Sequence, residues 1–377
     1  MIEAPGFLLT ILAFVAVIGP LVFVHEMGHY LAGRWFGIHA EAFAIGFGHR
    51  IAGFTDKRGT RWQIGWLPLG GYVRFAGDMN PASQPSAEWL ALPPAERNRT
   101  FQAKPVWQRA IVVAAGPVVN FAVAILVLAG FAMAYGVDRT PATAGAIVND
   151  SAAAAAGIKA GDRIVAIDGR IMDDFGEVYD FVRLRPAERV TVNIVRGDQR
   201  LAVRALIAVE RQRDRFGNEY RIGRLGISPP PAIRVPVNAI DAPWEGIKGV
   251  GSVLRSTTDA LAQIISGRRS VKELGGPLQI AKVSGEQLSL GWPAFIGLLA
   301  LVSINLGFIN LMPVPMLDGG HLLFYAIEAV RRRPLEPHVQ DWAFRGGMAA
   351  LLALMLLVTF NDLGAFGLWQ GLAGLIG

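Results

Sequence analysis

Cysteine is absent from the 377 residues, which excludes a disulfide framework, a thiolate metal site and a cysteine nucleophile. Any metal must then be held by His, Asp or Glu. Charge is also scarce. Only 18% of positions are charged against 52% apolar, a balance that excludes disorder and exceeds what a single soluble core would bury. Lys plus Arg number 36 and Asp plus Glu 30, a net charge of +6. These cations are scattered between uncharged runs and form no stripe, so they suit the headgroups of a lipid bilayer, and nucleic acid is not an expected partner.

What the chain has in abundance is long charge-free sequence. Residues 6–24 carry no charge and, at about 1.5 Å per helical residue, nearly cross a hydrocarbon core of roughly 30 Å. No Lys or Arg precedes Arg34 and no small-residue cleavage pattern follows the run, so a retained span is expected here, not a cleaved signal. Further runs extend from Ile111 to Val137, from Gln287 to Leu317 and from Gly346 to Asn361, the last assisted by Trp342, Phe344 and the apolar tail 363–377. Four spans are expected. Arg34, Arg50, Arg97, Arg99, Lys104 and Arg109 between the first two, and Arg331, Arg332 and Arg333 between the last two, put those loops in the cytoplasm. Both termini, the first carrying only Glu3, and the long segment Asp138–Glu286 then face the periplasm or exterior.

Within that segment, AGAIVNDSAAAAAGIKAGDRIVAIDG (144–169) alternates short β-branched runs with Gly-Asp and Asp-Gly turns around a small-residue helix at 151–156. Residues 190–206 read as a hairpin turning at Gly197-Asp198, and GRLGI (223–227) as a last strand. The pattern resembles a PDZ domain of the bacterial protease type, whose members accept extended peptide ends at a sheet edge. Pro229, Pro230 and Pro231 mark a linker, and 241–266 has the apolar spacing of one amphipathic helix. In the first cytoplasmic loop, EAFAIGFGHR (41–50) and TRWQIGWLPLGGYVRFAGD (60–78) alternate apolar and polar residues between glycines, as hairpins close to a membrane do. Backbone of that kind at membrane depth persists only where it is buried in protein or lines a cavity, so this segment is expected to border a site.

The chemistry is concentrated in two places. His25-Glu26-Met27-Gly28-His29 is an H-E-x-x-H motif, in which four residues make about one helical turn. Both imidazoles then share a face and can bind Zn2+, while Glu26 stands beside them as base. An ionisable side chain in an apolar helix costs on the order of 2.5–3.5 kcal/mol at the bilayer centre, so three together require a compensating partner. Two imidazoles leave a third protein ligand to be found. Six residues past His29 stands Trp35, not a third His, and His39 and His49 read as solvated loop residues. Asp318, ending the third apolar run in NLMPVPMLDGG (310–320), is the better candidate. Pro313 and Pro315 break the helix, Gly319-Gly320 permit a sharp turn, and Asn310 can hold a substrate backbone or polarise its carbonyl.

HEMGH, the GFG and GGYV of the first loop, GPVVNF (116–121), GGPLQIAK (275–282) and SINLGFINLMPVPMLDGGH (303–321) together resemble the site-2 protease family of intramembrane zinc metalloproteases, nearest its RseP-like bacterial branch. The resemblance implies that His25, His29 and Asp318 bind zinc, Glu26 is the catalytic base, and Asn310, with Pro313 and Pro315 of its motif, meets substrate. Gly70, Gly71, Tyr72, Val73 and Arg74 would offer an edge strand to the unwinding substrate. It further implies a bacterial inner-membrane enzyme cutting transmembrane segments of already shortened single-span proteins, among them anti-sigma factors, or remnant signal peptides. One PDZ-like unit is recognisable where the best-studied branch has two.

The expected architecture is therefore a multi-pass α-helical membrane protein of about four spans, with a membrane-associated β segment and an extracytoplasmic PDZ-like β-rich domain. Its expected parts are a first span with the H-E-x-x-H motif (1–36), a cytoplasmic loop with the β segment (37–105), a second span (106–137), the PDZ-like domain (138–228), a linker with the amphipathic helix (229–286), and the third and fourth spans (287–377). Two other readings compete. A metal or proton transporter would distribute ionisable residues over several spans and repeat itself internally, and an inactive peptide-binding scaffold would have no need of Glu26 beside two His.

Overall fold

A computed structural model describes residues 6–77, 92–213, 219–267, 271 and 275–365. Glu3, Asp78 and the tail from residue 366, used in the sequence reading, lie outside these. In chain order the elements are α1 (Phe7–Trp35), β1 (Ala40–Thr55), β2 (Arg61–Phe75), α2 (Pro94–Arg97), α3 (Val106–Tyr135), β3 (Val137–Arg139), β4 (Ala146–Ile147), α4 (Ala152–Ala155), β5 (Arg163–Ile167), β6 (Arg170–Ile171) and α5 (Phe175–Arg183). They continue with β7 (Arg189–Arg196), β8 (Gln199–Leu206), β9 (Ala208–Arg213), β10 (Glu219–Arg224), β11 (Ile227–Ser228), β12 (Ile233–Val235), α6 (Ala242–Ile265), α7 (Pro277–Ser289), α8 (Trp292–Asn310), α9 (Asp318–Arg331) and α10 (Pro337–Ala365).

Among the described residues four helices are long and apolar enough to cross a membrane: Phe7–Trp35, Val106–Tyr135, Trp292–Asn310 and Pro337–Gly364, with mean hydropathies of 2.8, 2.6, 1.9 and 1.9. The third is shorter than its uncharged run. Helix α7 ends at Ser289, Gly291 takes φ 108°, and only 292–310 is one continuous helix. Residues 311–317 then leave helical geometry, since Pro313 and Pro315 supply no amide for it and Met316 adopts φ 88°.

The chain divides into two units. The first takes in the described residues of Met1–Leu128, Gly246–Leu254 and Leu274–Asp362. Its helices pack closely because glycines face their neighbours: a Cβ on Gly28 would lie 2.5 Å from the Ala115 carbonyl oxygen, and one on Gly246 would run into the backbone at Ile125. Asp362, 3% exposed, accepts from the amides of Gly276, Leu278 and Gln279 and so satisfies the open N-terminus of α7 from α10. Strands β1 and β2 form a folded ribbon in which residues 42–45 lie between 61–64 and 71–74. Among the described residues the stretch 71–75 pairs on one side alone, with 40–45. Gly46 and Gly48, at φ 81° and 83°, permit the bend. Phe43, Tyr30, Phe75, Phe101 and Val112 are buried together beneath the ribbon.

The second unit takes in the described residues of Ala129–Glu245, Arg255–Glu273 and Leu363–Gly377. Its centre is a four-stranded sheet in the order β6-β5-β7-β8, with the β7–β8 hairpin turning at Gly197-Asp198 as read from the sequence. Helix α5, with Asp174 accepting from the Glu177 amide as its N-cap, contributes Val178, Phe181 and Val182 to a core with Ile164, Ile167, Val192 and Ile194. The GRLGI stretch is not one strand. Residues 219–224 pair with β9 and 227–228 with β4, because Gly226 turns the chain at φ 78° directly against the Ser151 side chain.

Candidate metal centre

Helix α1 carries His25, Glu26 and His29 near its C-terminal end, on a stretch that is otherwise apolar. His25 is 7% and Glu26 8% exposed. The two imidazoles lie a turn apart, with ring centroids at 4.9 Å and planes at 82°. Asp318 reaches them from the first residue of α9, delivered by the non-helical turn 311–317. Gly319 and Gly320 make that delivery possible. A Cβ on either would collide with the carbonyls of Leu311, Met312 or Val314, so the start of α9 lies flush on the turn before it.

Three ligand atoms converge. His25 Nε2 and His29 Nε2 are 3.2 Å apart, and Asp318 Oδ2 lies 3.2 Å from the first and 3.5 Å from the second. For a tetrahedral ion with ligand bonds of roughly 2.0–2.1 Å, neighbouring ligand atoms stand about 3.3 Å apart, so the triangle has the size zinc requires. The proton inventory agrees. His29 Nδ1 lies 2.9 Å from the Val112 carbonyl, which can only accept, so in the neutral ring Nε2 turns a lone pair toward Asp318. Asp318 Oδ2 is buried and faces both Nε2 atoms. Lone pairs facing one another at this distance repel unless a cation lies among them. Among the described residues this is the one group of three or more His, Asp or Glu with ligand atoms close enough to hold an ion.

The site opens on a cavity of about 770 Å³. Gly70, Gly71, Tyr72, Val73 and Arg74 of β2 line it, as does Asn310. A Cβ on Gly71 would lie 2.9 Å from Glu26 Cγ. Strand β2 therefore runs against the acidic residue itself, and on the side away from 40–45 no described strand pairs with 71–74. Pro313 and Pro315 do not line the cavity. Lacking amide hydrogens and fixed in φ, they shape the turn that presents Asp318.

Two residues of α3 were not assigned a role from the sequence. A Cβ on Gly116 would fall within 3 Å of His29 Nε2, His29 Cε1 and His25 Cε1, so the imidazoles rest on bare backbone. Asn120, wholly buried, has its amide 3.0 Å from His25 Nδ1. GPVVNF marked this region as unusual for a span, but only the crossing of α1 and α3 tells which of its residues face the motif.

Buried imidazoles one turn apart, a carboxylate closing on both and a glutamate beside them, all in membrane-type helices, define the class as a membrane metallopeptidase. The profile of peptidase family M50 matches residues 13–354. The chain belongs to that family, the site-2 proteases. It is 43% identical over 369 residues to a protein of Agrobacterium fabrum named "Putative zinc metalloprotease Atu1380", covering 96% of this chain and 98% of the relative. A Mesorhizobium japonicum protein named "Putative zinc metalloprotease mll0638" is 40% identical over 95% of this chain and 99% of its own. Metalloprotease MmpA of Caulobacter vibrioides is 35% identical over 98% of this chain and 99% of its own length. The transporter and scaffold readings fall away.

Proposed function

We propose that this chain is a zinc endopeptidase that hydrolyses peptide bonds inside transmembrane segments of single-span membrane proteins shortened beforehand by another protease, such as anti-sigma factors, or of remnant signal peptides. The observation that carries the reading is the triangle of His25 Nε2, His29 Nε2 and Asp318 Oδ2 with Glu26 beside it, at the wall of a cavity bordered by a strand that described strands pair on one side only. His25, His29 and Asp318 would hold the zinc, which when bound supplies Lewis acidity, making water acidic near neutral pH and polarising the scissile carbonyl.

The rest is the work of the chain. Glu26 accepts the proton of the attacking water and passes it to the departing amine, which balances the hydrolysis. A helical substrate hides its carbonyls in hydrogen bonds four residues apart, so it must unwind locally before it can be cut. The free side of 71–74 offers backbone donors and acceptors in place of those lost, and Asn310, which lines the same cavity, would orient the exposed carbonyl. The second unit, read as PDZ-like and periplasmic with both termini, would exclude partners whose outer portion is still attached. The setting is a bacterial inner membrane.

The test uses full-length protein in proteoliposomes with a truncated single-span substrate. Glu26→Gln is expected to lower the cleavage rate by about 10²–10⁴-fold while zinc content stays at the wild-type level. Chelation is expected to abolish cleavage and zinc addition to restore it. Cleavage that persists in Glu26→Gln would remove Glu26 from the mechanism.

A further inference from the structure

Asn120 lies at the middle of α3, is 0% exposed, and stands opposite the imidazole edge that does not face Asp318. Its amide is drawn with Nδ2 3.0 Å from His25 Nδ1, while its Oδ1 is buried with no hydrogen-bond partner. In that sense the nitrogen donates to Nδ1, which then carries the lone pair, and the ring proton is forced to Nε2. It would point into the triangle, at His29 Nε2 and Asp318 Oδ2. A half-turn of the amide about its Cβ–Cγ bond exchanges the two ends with almost no change of shape. Oδ1 then accepts from Nδ1–H, the amide nitrogen takes the place Oδ1 held, and the Nε2 lone pair is directed to the cation site.

We propose that Asn120 is a positioning residue for the metal centre: its side-chain oxygen accepts the Nδ1 proton of His25 and fixes the tautomer in which Nε2 can coordinate. The inference rests on the zinc reading of His25, His29 and Asp318. It makes the two imidazoles equivalent in support, since His29 Nδ1 gives its proton to the Val112 carbonyl of the same helix, two turns earlier. Helix α3 thus orients both rings from behind, through one backbone oxygen and one side-chain oxygen, with Gly116 between them making room. Asn120 is itself held from the other side, because Ser303 Oγ of α8 donates to its backbone carbonyl at 2.8 Å. That bond uses the main chain, so it survives substitution of the side chain. An outer partner of a ligating histidine is typically worth 10–100-fold in metal affinity.

The experiment measures zinc affinity of the full-length protein in detergent, by competition with a chromophoric chelator, for wild type, Asn120→Leu, Asn120→Asp and His25→Ala, together with the visible spectrum of cobalt-loaded samples. Leucine keeps the volume without the acceptor, whereas aspartate keeps an acceptor and can donate nothing. Asn120→Leu is expected to bind zinc 10–100-fold more weakly and to lose the tetrahedral cobalt absorption. Asn120→Asp is expected to remain within about threefold of wild type or to bind more tightly, since it forms the carboxylate–histidine pair common behind zinc ligands. If Asn120→Asp falls as far as Asn120→Leu, or if Asn120→Leu binds as wild type does, the acceptor role is overturned. Should Asn120→Leu not fold, the comparison of Asn120→Asp with wild type decides alone by the same threefold limit. Wild-type zinc affinity in His25→Ala would instead overturn the metal site, which separates the two failures.

Discussion

Two glycines press on the same short motif from opposite sides, and a methyl group added to each should separate metal binding from turnover. At Gly116 the added carbon would meet His29 Nε2 and both rings' Cε1 atoms. The imidazoles must swing away from Asp318, so Gly116→Ala is expected to lower zinc affinity at least tenfold. Helicity should not fall, because Ala favours a helix over Gly by roughly 1 kcal/mol. Circular dichroism and zinc titration on one preparation check both halves. At Gly71 the added carbon would meet Glu26 Cγ, Val22 Cγ1 and the Ala44 carbonyl. Gly71→Ala is expected to keep zinc at full stoichiometry and to slow cleavage by 10-fold or more, because the residue displaced is the proposed base and not one of the proposed ligands. Zinc loss in Gly71→Ala would mean that β2 supports the ligands as well. At this scale H-E-x-x-H and Asp318 were legible because ionisable groups in apolar runs demand partners. Gly116 and Asn120 were not, since a glycine or an amide in a span has many ordinary uses, and only the face it shares with another helix tells them apart.

Elements stop where backbone chemistry changes, and the sequence displayed some of those points better than others. The third apolar run looked continuous from 287 to 317, yet Gly291 and the two prolines cut it to a 19-residue helix, and the non-helical remainder is what aims Asp318. Hydropathy sees no difference between helical and turning apolar chain. Strand β5 shows the opposite case, in which charges decide. Asp162, buried just ahead of it, receives two hydrogen bonds of 2.7 Å from the Arg196 guanidinium on β7, and this pairing together with the Lys159 amide holds its carboxyl below the usual range. A carboxyl depressed on folding stabilises the fold above its unfolded pKa, and that stabilisation disappears as pH falls through the folded value. Protection of the β5 and β7 amides from hydrogen exchange, corrected for intrinsic rates, is therefore expected to decline below about pH 4. Asp162→Asn should be less protected at neutral pH and show a flatter profile on acidification. A wild-type profile without any decline would deny Asp162 this role.

For the whole molecule, four spans were readable from composition because a bilayer imposes a length on apolar sequence that few other solvents impose. The β content of the second unit was readable only in part: its hairpin and its glycine turns were visible, while helix α5 was not, its nine residues being too few for a periodic signal to emerge. The register of β3 with β12 now makes the proposed screening role testable. Arg139 pairs with Ile233, so the chain leaves and re-enters this part of the second unit at adjacent points on one ladder. Removing 140–227 would leave Ser228–Ala232 as a five-residue loop joining two strands that are already paired, a length ordinary for hairpins. The proposed metal ligands, Glu26 and the strand 71–74 lie outside the excised stretch. The deletion variant is therefore expected to cut the truncated substrate at near the wild-type rate. If bulk is what the second unit excludes, it should also cut the same protein with its outer domain attached, which the intact enzyme should leave whole. Measured side by side in proteoliposomes, unchanged refusal of the full-length substrate by a variant that still cuts the truncated one would show that selection resides elsewhere, in the membrane-embedded cavity or in the substrate's own readiness to unwind.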